Sequence, residues 1–138
     1  MSPDFEILEH NADTGIIAYG SDLKQAFSNA ASGLFSLIVD QESVQDTTER
    51  QIEVRANDLE SLLVEWLNEL IYIFDVENIL FKRFEVVEIE SGRLTARAYG
   101  EKVDPTRHEV KLGVKAATYH MLRIEKNNGY KLQVIFDI

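Results

Sequence analysis

The chain has 138 residues, 45% of them hydrophobic and 9% aromatic, which is enough for one folded domain over 1–138 and excludes a wholly disordered segment. Its 14 basic and 24 acidic residues give a net charge of −10, which argues against a general nucleic-acid coat, because a dense positive field is missing. With no Cys, disulfides, thiolate chemistry, iron–sulfur clusters and Cys-ligated zinc are ruled out.

The N-terminal MSPDFEILEH lacks a basic segment followed by an apolar one, so no signal peptide is expected. No run approaches 18 uncharged apolar residues, so no membrane span is expected and the expected location is cytoplasmic. Charge is uneven along the chain. Residues 1–90 carry 5 basic and 19 acidic side chains, whereas 91–138 carry 9 basic and 5 acidic. That asymmetry suggests two faces or one charged seam.

FEILE at 5–9 and IIAY at 16–19 read as short strands around a polar turn. Ser21 is placed to cap a helix in which Leu23, Ala26, Phe27, Ala30, Leu34 and Leu37 recur at helical spacing. Gly33 inside that helix suggests a close backbone approach. A polar, acidic connection follows over 39–50. QIEVRA at 51–56 alternates as a strand does. Asn57 with Glu60 suggests a capping box for the strongest helix, whose apolar stripe runs through Leu59, Leu62, Leu63, Trp66, Leu67, Leu70, Ile71 and Phe74.

From residue 80 the period becomes two, which predicts strands at 80–90, 93–101, 109–115, 117–126 and 130–137. Ser91-Gly92 and Asn127-Asn128-Gly129 supply turns. The order of elements predicts an α+β fold, a compact two-layer sandwich with two main helices packed on a largely antiparallel sheet.

Four segments carry candidate chemistry. In HNADTG at 10–15, Asp13 could be a hard oxygen ligand or a turn cap, and His10 a ligand or a structural histidine. At the C-terminus, Asp137 lies beside the α-carboxylate of Ile138. Two such anions repel unless separated, protonated or bridged by a cation, and a frayed, solvated end is the alternative. Glu101 and Asp104 in GEKVD could join an acidic site or be ordinary loop charges. Lys115 in VKAATYH could meet a phosphate or a partner's carboxylate, or be an exposed strand lysine, and His120 lacks a triad signature. Three histidines with no HExxH give little support to zinc, and neither GxxxxGK[ST] nor GxGxxG is present.

HNADTG at 10–15, LLVEWLNELIYIFD at 62–75, GEKVD at 100–104, VKAATYH at 114–120 and VIFDI at 134–138 together resemble the archease family, in family order and over nearly the whole chain. The resemblance implies a compact α+β protein that is not itself an enzyme. Such a protein activates the GTP- and Mn2+-dependent RNA ligase of tRNA splicing, promoting its guanylylation and multiple turnover, with tRNA met only through the ligase. It implies a divalent metal site at Asp13, Asp137 and the carboxylate of Ile138, whose hard oxygens suit Ca2+, with Mg2+ as the second choice. It also implies functional polar roles for Glu101 and Lys115 near that site, with His10 and His120 matching further motif positions. Two other readings compete: a broader chaperone of RNA-modifying enzymes, and a small metal-dependent hydrolase. The hydrolase lacks an identified nucleophile and general base.

Overall fold

In the computed structural model residues 3–10 and 13–138 are described, with His10 described by its backbone alone. The chain order is β1 (Phe5–His10), β2 (Asp13–Gly20), α1 (Leu23–Ile38), β3 (Thr48–Arg55), α2 (Leu59–Glu77), β4 (Ile79–Glu90), β5 (Arg93–Lys102), β6 (Ala116–Ala117), β7 (Arg123–Lys126) and β8 (Tyr130–Asp137). The fold is α+β, and every strand pairing described is antiparallel. The strands form two sheets. One runs β1-β2-β8-β6 with β7 also on β8, and the other runs β3-β5-β4.

The helices join the sheets. Helix α1 packs against β1, β2 and β8 of the first sheet and β4 of the second, while α2 meets β3, β4 and β5 and also β6. The stripe expected from sequence is the buried one: Leu62, Leu63, Trp66, Leu67 and Leu70 of α2 are at most 1% exposed. Phe35 of α1 packs against Phe74, Phe81 and Phe84, with ring centroids 5.7–6.4 Å apart. Both helix caps differ by one residue from the sequence expectation. Asp22, not Ser21, accepts the Gln25 N–H, and Asp58, not Asn57, accepts the Ser61 N–H. A carboxylate three residues before a free N–H also satisfies the helix dipole, which a serine hydroxyl or carboxamide does less well. The tight place at Gly33 is made by side chains, Ile16 and Phe5, and not by backbone.

Two strands expected from alternation do not form as such. Residues 109–115 have no ladder partner, and their backbone donors are met singly, Lys111 N–H by Ile38 O and Lys115 N–H by Asp137 O. The segment 117–126 keeps strand geometry only at Ala117, which ends β6, and at Arg123–Lys126. Between them Met121 takes φ 53°, a left-handed conformation that breaks the pleat. The expected hairpin turns are present: Ser91 and Gly92 at φ 52° and 75°, Asn128 and Gly129 at φ 54° and 122°.

Gly100 lies in the central strand β5, paired with Thr48 on one side and Phe81 on the other. A Cβ there would overlap the Leu80 carbonyl and lie 2.7 Å from Phe81 Cα. Backbone cannot yield as a flexible side chain does, so Gly100→Ala is expected to cost about 1–3 kcal/mol or more. Urea denaturation reads this directly, and an unchanged midpoint would refute it.

Candidate functional site at the β2–β8–β6 sheet end

The C-terminal strand β8 is anchored through Leu132, Val134, Ile135 and Phe136, all buried, while Asp137 and Ile138 are exposed. Strand β2 runs antiparallel to it with Thr14 across from Phe136. One further step of that register sets Asp13, the first residue of β2, across from Asp137. On the other side of β8, Ala116 pairs with Asp137, and the Lys115 N–H donates to Asp137 O at 2.8 Å. Three neighbouring strand ends therefore bring Asp13, Asp137, Lys115 and the backbone at Ile138 to one end of the sheet. His120 joins them: its Nε2 lies 3.7 Å from Asp13 Oδ2, with the two side chains 59% and 38% exposed.

Residues that the sequence did not mark hold this cluster in place. Asn68 of α2 accepts the Ala117 N–H on its side-chain oxygen at 2.7 Å, fixing β6 to the helix. Thr118 donates both its N–H and its hydroxyl to Ile135 O, at 3.0 and 2.8 Å. Gln133 donates to Met121 O at 2.9 Å. The available signal for Asn68 was a carboxamide inside the apolar run VEWLNEL.

Glu101 has different company. Its carboxylate, nearly buried at the end of β5, receives Arg107 Nη2 at 2.5 Å, the Gln45 N–H at 2.7 Å and His108 Nε2 at 3.1 Å. Asp104 donates its N–H to His108 Nδ1, so the ring proton lies on Nε2, which faces both Glu101 and Ser43 O. The Arg107 guanidinium, and after it the Gln45 and His108 donors, hold the Glu101 carboxyl down to about 2 against the opposing effect of burial. Asp104 is likewise occupied, by Thr106 and Arg107. None of these contacts reaches Asp13, Asp137 or Ile138. The His10 side chain and Asn11 lie outside the described residues.

Among the described residues, no group of three or more His, Cys, Asp or Glu side chains is gathered as a metal cage. A surface cleft of about 460 Å3 lies elsewhere, lined by Tyr19, Gln25, Asn29 and Tyr130 at the far end of β2. It shares no lining residue with the carboxylate cluster. Among the described residues, no helix is long and apolar enough to cross a membrane.

The family model described as the archease protein family (MTH1598/TM1083) matches residues 5–138. Protein archease of Methanosarcina mazei is 45% identical over 139 aligned positions, covering 97% of this chain and 95% of that protein. Protein archease of Pyrococcus abyssi is also 45% identical, covering 97% and 98%. The solution structure of Methanobacterium thermoautotrophicum protein 1598 superimposes with a TM-score of 0.84 at 39% identity, covering 98% of this chain and 99% of that one. The crystal structure of a Thermotoga maritima archease, described as a possible chaperone, shares the fold with a TM-score of 0.62 at 20% identity over 95% and 94% of the two chains. The family match across residues 5–138 and the near-full-length relatives show that the chain belongs to the archease family.

Proposed function

We propose that this protein activates the GTP- and Mn2+-dependent RNA ligase of tRNA splicing, promoting its guanylylation and repeated turnover, and does no ligation itself. Family membership supports the partner. The observation that carries the reading is the convergence of Asp13, Asp137 and Lys115 on one sheet end, where no core packing requires charge. A net charge of −10 suits a helper that leaves the RNA to its partner enzyme.

In the same reading Asp13, Asp137 and the Ile138 carboxylate hold a hard divalent cation, Ca2+ before Mg2+. The residues present fit such an ion. All three groups offer oxygen, β2 and β8 bring the two aspartates into register, and both are accessible to solvent. The cation would screen the repulsion among the carboxylates and stiffen the end of β8. Lys115, on the adjacent segment, is left to meet an anionic group of the partner. In this reading Glu101 acts indirectly, by fastening the 104–108 loop that leads toward Lys115.

Asp13→Asn and Asp137→Asn are expected to weaken Ca2+ binding and ligase stimulation roughly tenfold or more while the melting curve changes little. Titration calorimetry gives the first quantity, and a multiple-turnover ligation assay with limiting ligase gives the second. Unchanged metal affinity in both variants would refute the metal site. Lower affinity with full stimulation would leave the metal a structural role only. An absence of stimulation by the unaltered protein would refute the activator reading itself.

A further inference from the structure

Lys115 reaches the sheet end just ahead of β6, which is two residues long and pairs with β8. Its side chain is exposed, so the backbone beneath it sets its direction. Burial specifies that backbone weakly. The segment reads Lys115-Ala116-Ala117-Thr118, and a slip of one residue would exchange one alanine for another at nearly the same buried area. Val114 is buried just before the ladder and anchors the depth of the segment, but it has no ladder partner. Polar contacts therefore decide how β6 sits on β8.

Those contacts depart from a regular ladder. In an antiparallel edge strand every second N–H faces the partner. Here the Lys115 N–H donates to Asp137 O and the Thr118 N–H to Ile135 O, an odd interval. The segment thus holds one residue more than the pleat takes up, as at a β-bulge. The Ala117 N–H is turned away from β8, and Asn68 Oδ1 accepts it at 2.7 Å. Ala117 is 5% exposed, so without the carboxamide this donor would be buried with no partner. Asn68 is a fixed reference point. It lies between Leu67 and Leu70, both fully buried, on the helix that Trp66 bonds to Phe27 O of α1. Asparagine in a helix interior costs helix stability relative to leucine or alanine, and here its bond leaves the helix altogether.

We propose that Asn68 is the positioning residue of the sheet-end site: by accepting the Ala117 N–H it selects which residue of the segment is displaced from β8, and so sets the direction in which Lys115 faces the partner. This rests on the activator reading above and adds the residue that aims Lys115 within it. Asn68 acts through the backbone and touches no partner itself. Thr118 fastens the far side of the same step, giving both its N–H and its hydroxyl to Ile135 O. With Thr118 alone, the extra residue is free to be taken up at Ala116 or at Ala117. The two choices turn the preceding lysine to different sides of the strand, because successive side chains alternate between faces.

Two measurements on the same variants separate aiming from folding. Amide hydrogen exchange, followed by nuclear magnetic resonance, reads the bond at Ala117. Multiple-turnover ligation with limiting ligase reads stimulation per folded molecule, the folded fraction being set by circular dichroism. Asn68→Ala removes the acceptor while favouring the helix, and should speed exchange at Ala117 about tenfold or more and lower stimulation about fivefold or more. Asn68→Asp keeps an acceptor oxygen at the same reach and should restore both to within about threefold of the unaltered protein. The double variant Asn68→Ala with Lys115→Ala should stimulate no less than Lys115→Ala alone, since residues that act through one another are not additive. Full stimulation by Asn68→Ala would overturn the inference and leave the bond a purely structural one. Unchanged exchange at Ala117, failure of Asn68→Asp to restore stimulation, or losses that multiply in the double variant would also overturn it. Full stimulation by Lys115→Ala would do the same while the activator function stands. If the unaltered protein does not stimulate the ligase, the activator reading fails and this inference with it.

Discussion

Trp66→Ala is expected to destabilise the protein by about 3–5 kcal/mol. The ring is fully buried in α2, packs edge-on to Phe84 with centroids 6.4 Å apart, and donates Nε1–H to Phe27 O in α1 at 2.9 Å. It thus ties together the two helices that span the sheets. Alanine removes the ring's dispersion contacts and leaves a void between layers that cannot fully close. Trp66→Phe keeps much of the volume and loses the hydrogen bond, so its loss should be smaller, about 1–3 kcal/mol. Because Trp66 is the only tryptophan, unfolding in urea should be followed by circular dichroism. An alanine variant within 1 kcal/mol of the unaltered protein would refute this packing role.

That prediction was accessible from sequence because α2 repeats its apolar residues over many turns, and a long helical period has few alternative readings. Strands β4, β5 and β8 were equally legible, since alternation ends at true turn residues. The segments 109–115 and 117–126 were not. Val110, Leu112 and Val114 alternate, but alternation reports a pleated face and does not say whether a partner strand exists. The break at Met121 carries no glycine to announce it; the left-handed turn is imposed by Thr118, Gln133 and the edge of β8. The split into two sheets is likewise a property of pairing, which periodicity does not encode.

The candidate site was legible to different degrees at different residues. Asp13 and Asp137 are 124 positions apart, and only the β2–β8 register joins them, with Lys115 brought in through β6. Motif resemblance marked those residues, whereas charge and spacing alone favour a frayed, solvated terminus. Asn68 and Thr118 act through side-chain hydrogen bonds to backbone, a role that composition does not reveal. Glu101 was marked by its motif, but its carboxylate is engaged in the 104–108 loop and not at the sheet end.

Glu101→Gln tests that engagement and carries a pH signature. Three donors converge on the carboxylate, and His108 Nε2 belongs to a fully buried side chain. Arg107, 43% exposed, can recover water when its partner is lost, whereas the His108 and Gln45 donors have less freedom to do so. A neutral carboxamide can accept from one of them but places its own NH2 against another. The expected loss is about 1.5–3 kcal/mol near neutral pH. Because the folded protein holds this carboxyl at about 2, below its ordinary 4.5, the ionised group stabilises the fold. That stabilisation is complete above 4.5 and is lost as pH falls through about 2. Asp58 and Asp104, also held below their ordinary values by the donors of Ser61 and Thr106, add acid sensitivity common to both proteins. The informative quantity is therefore the difference between the unaltered and Glu101→Gln proteins. It should be largest above pH 5 and shrink toward pH 2 in urea titrations. A difference constant with pH would show that the carboxylate's charge is not what the loop requires. If stimulation per folded molecule remains full in Glu101→Gln, the residue serves the fold of the Lys115 approach. If stimulation falls with the protein still folded, Glu101 belongs to the functional surface as well.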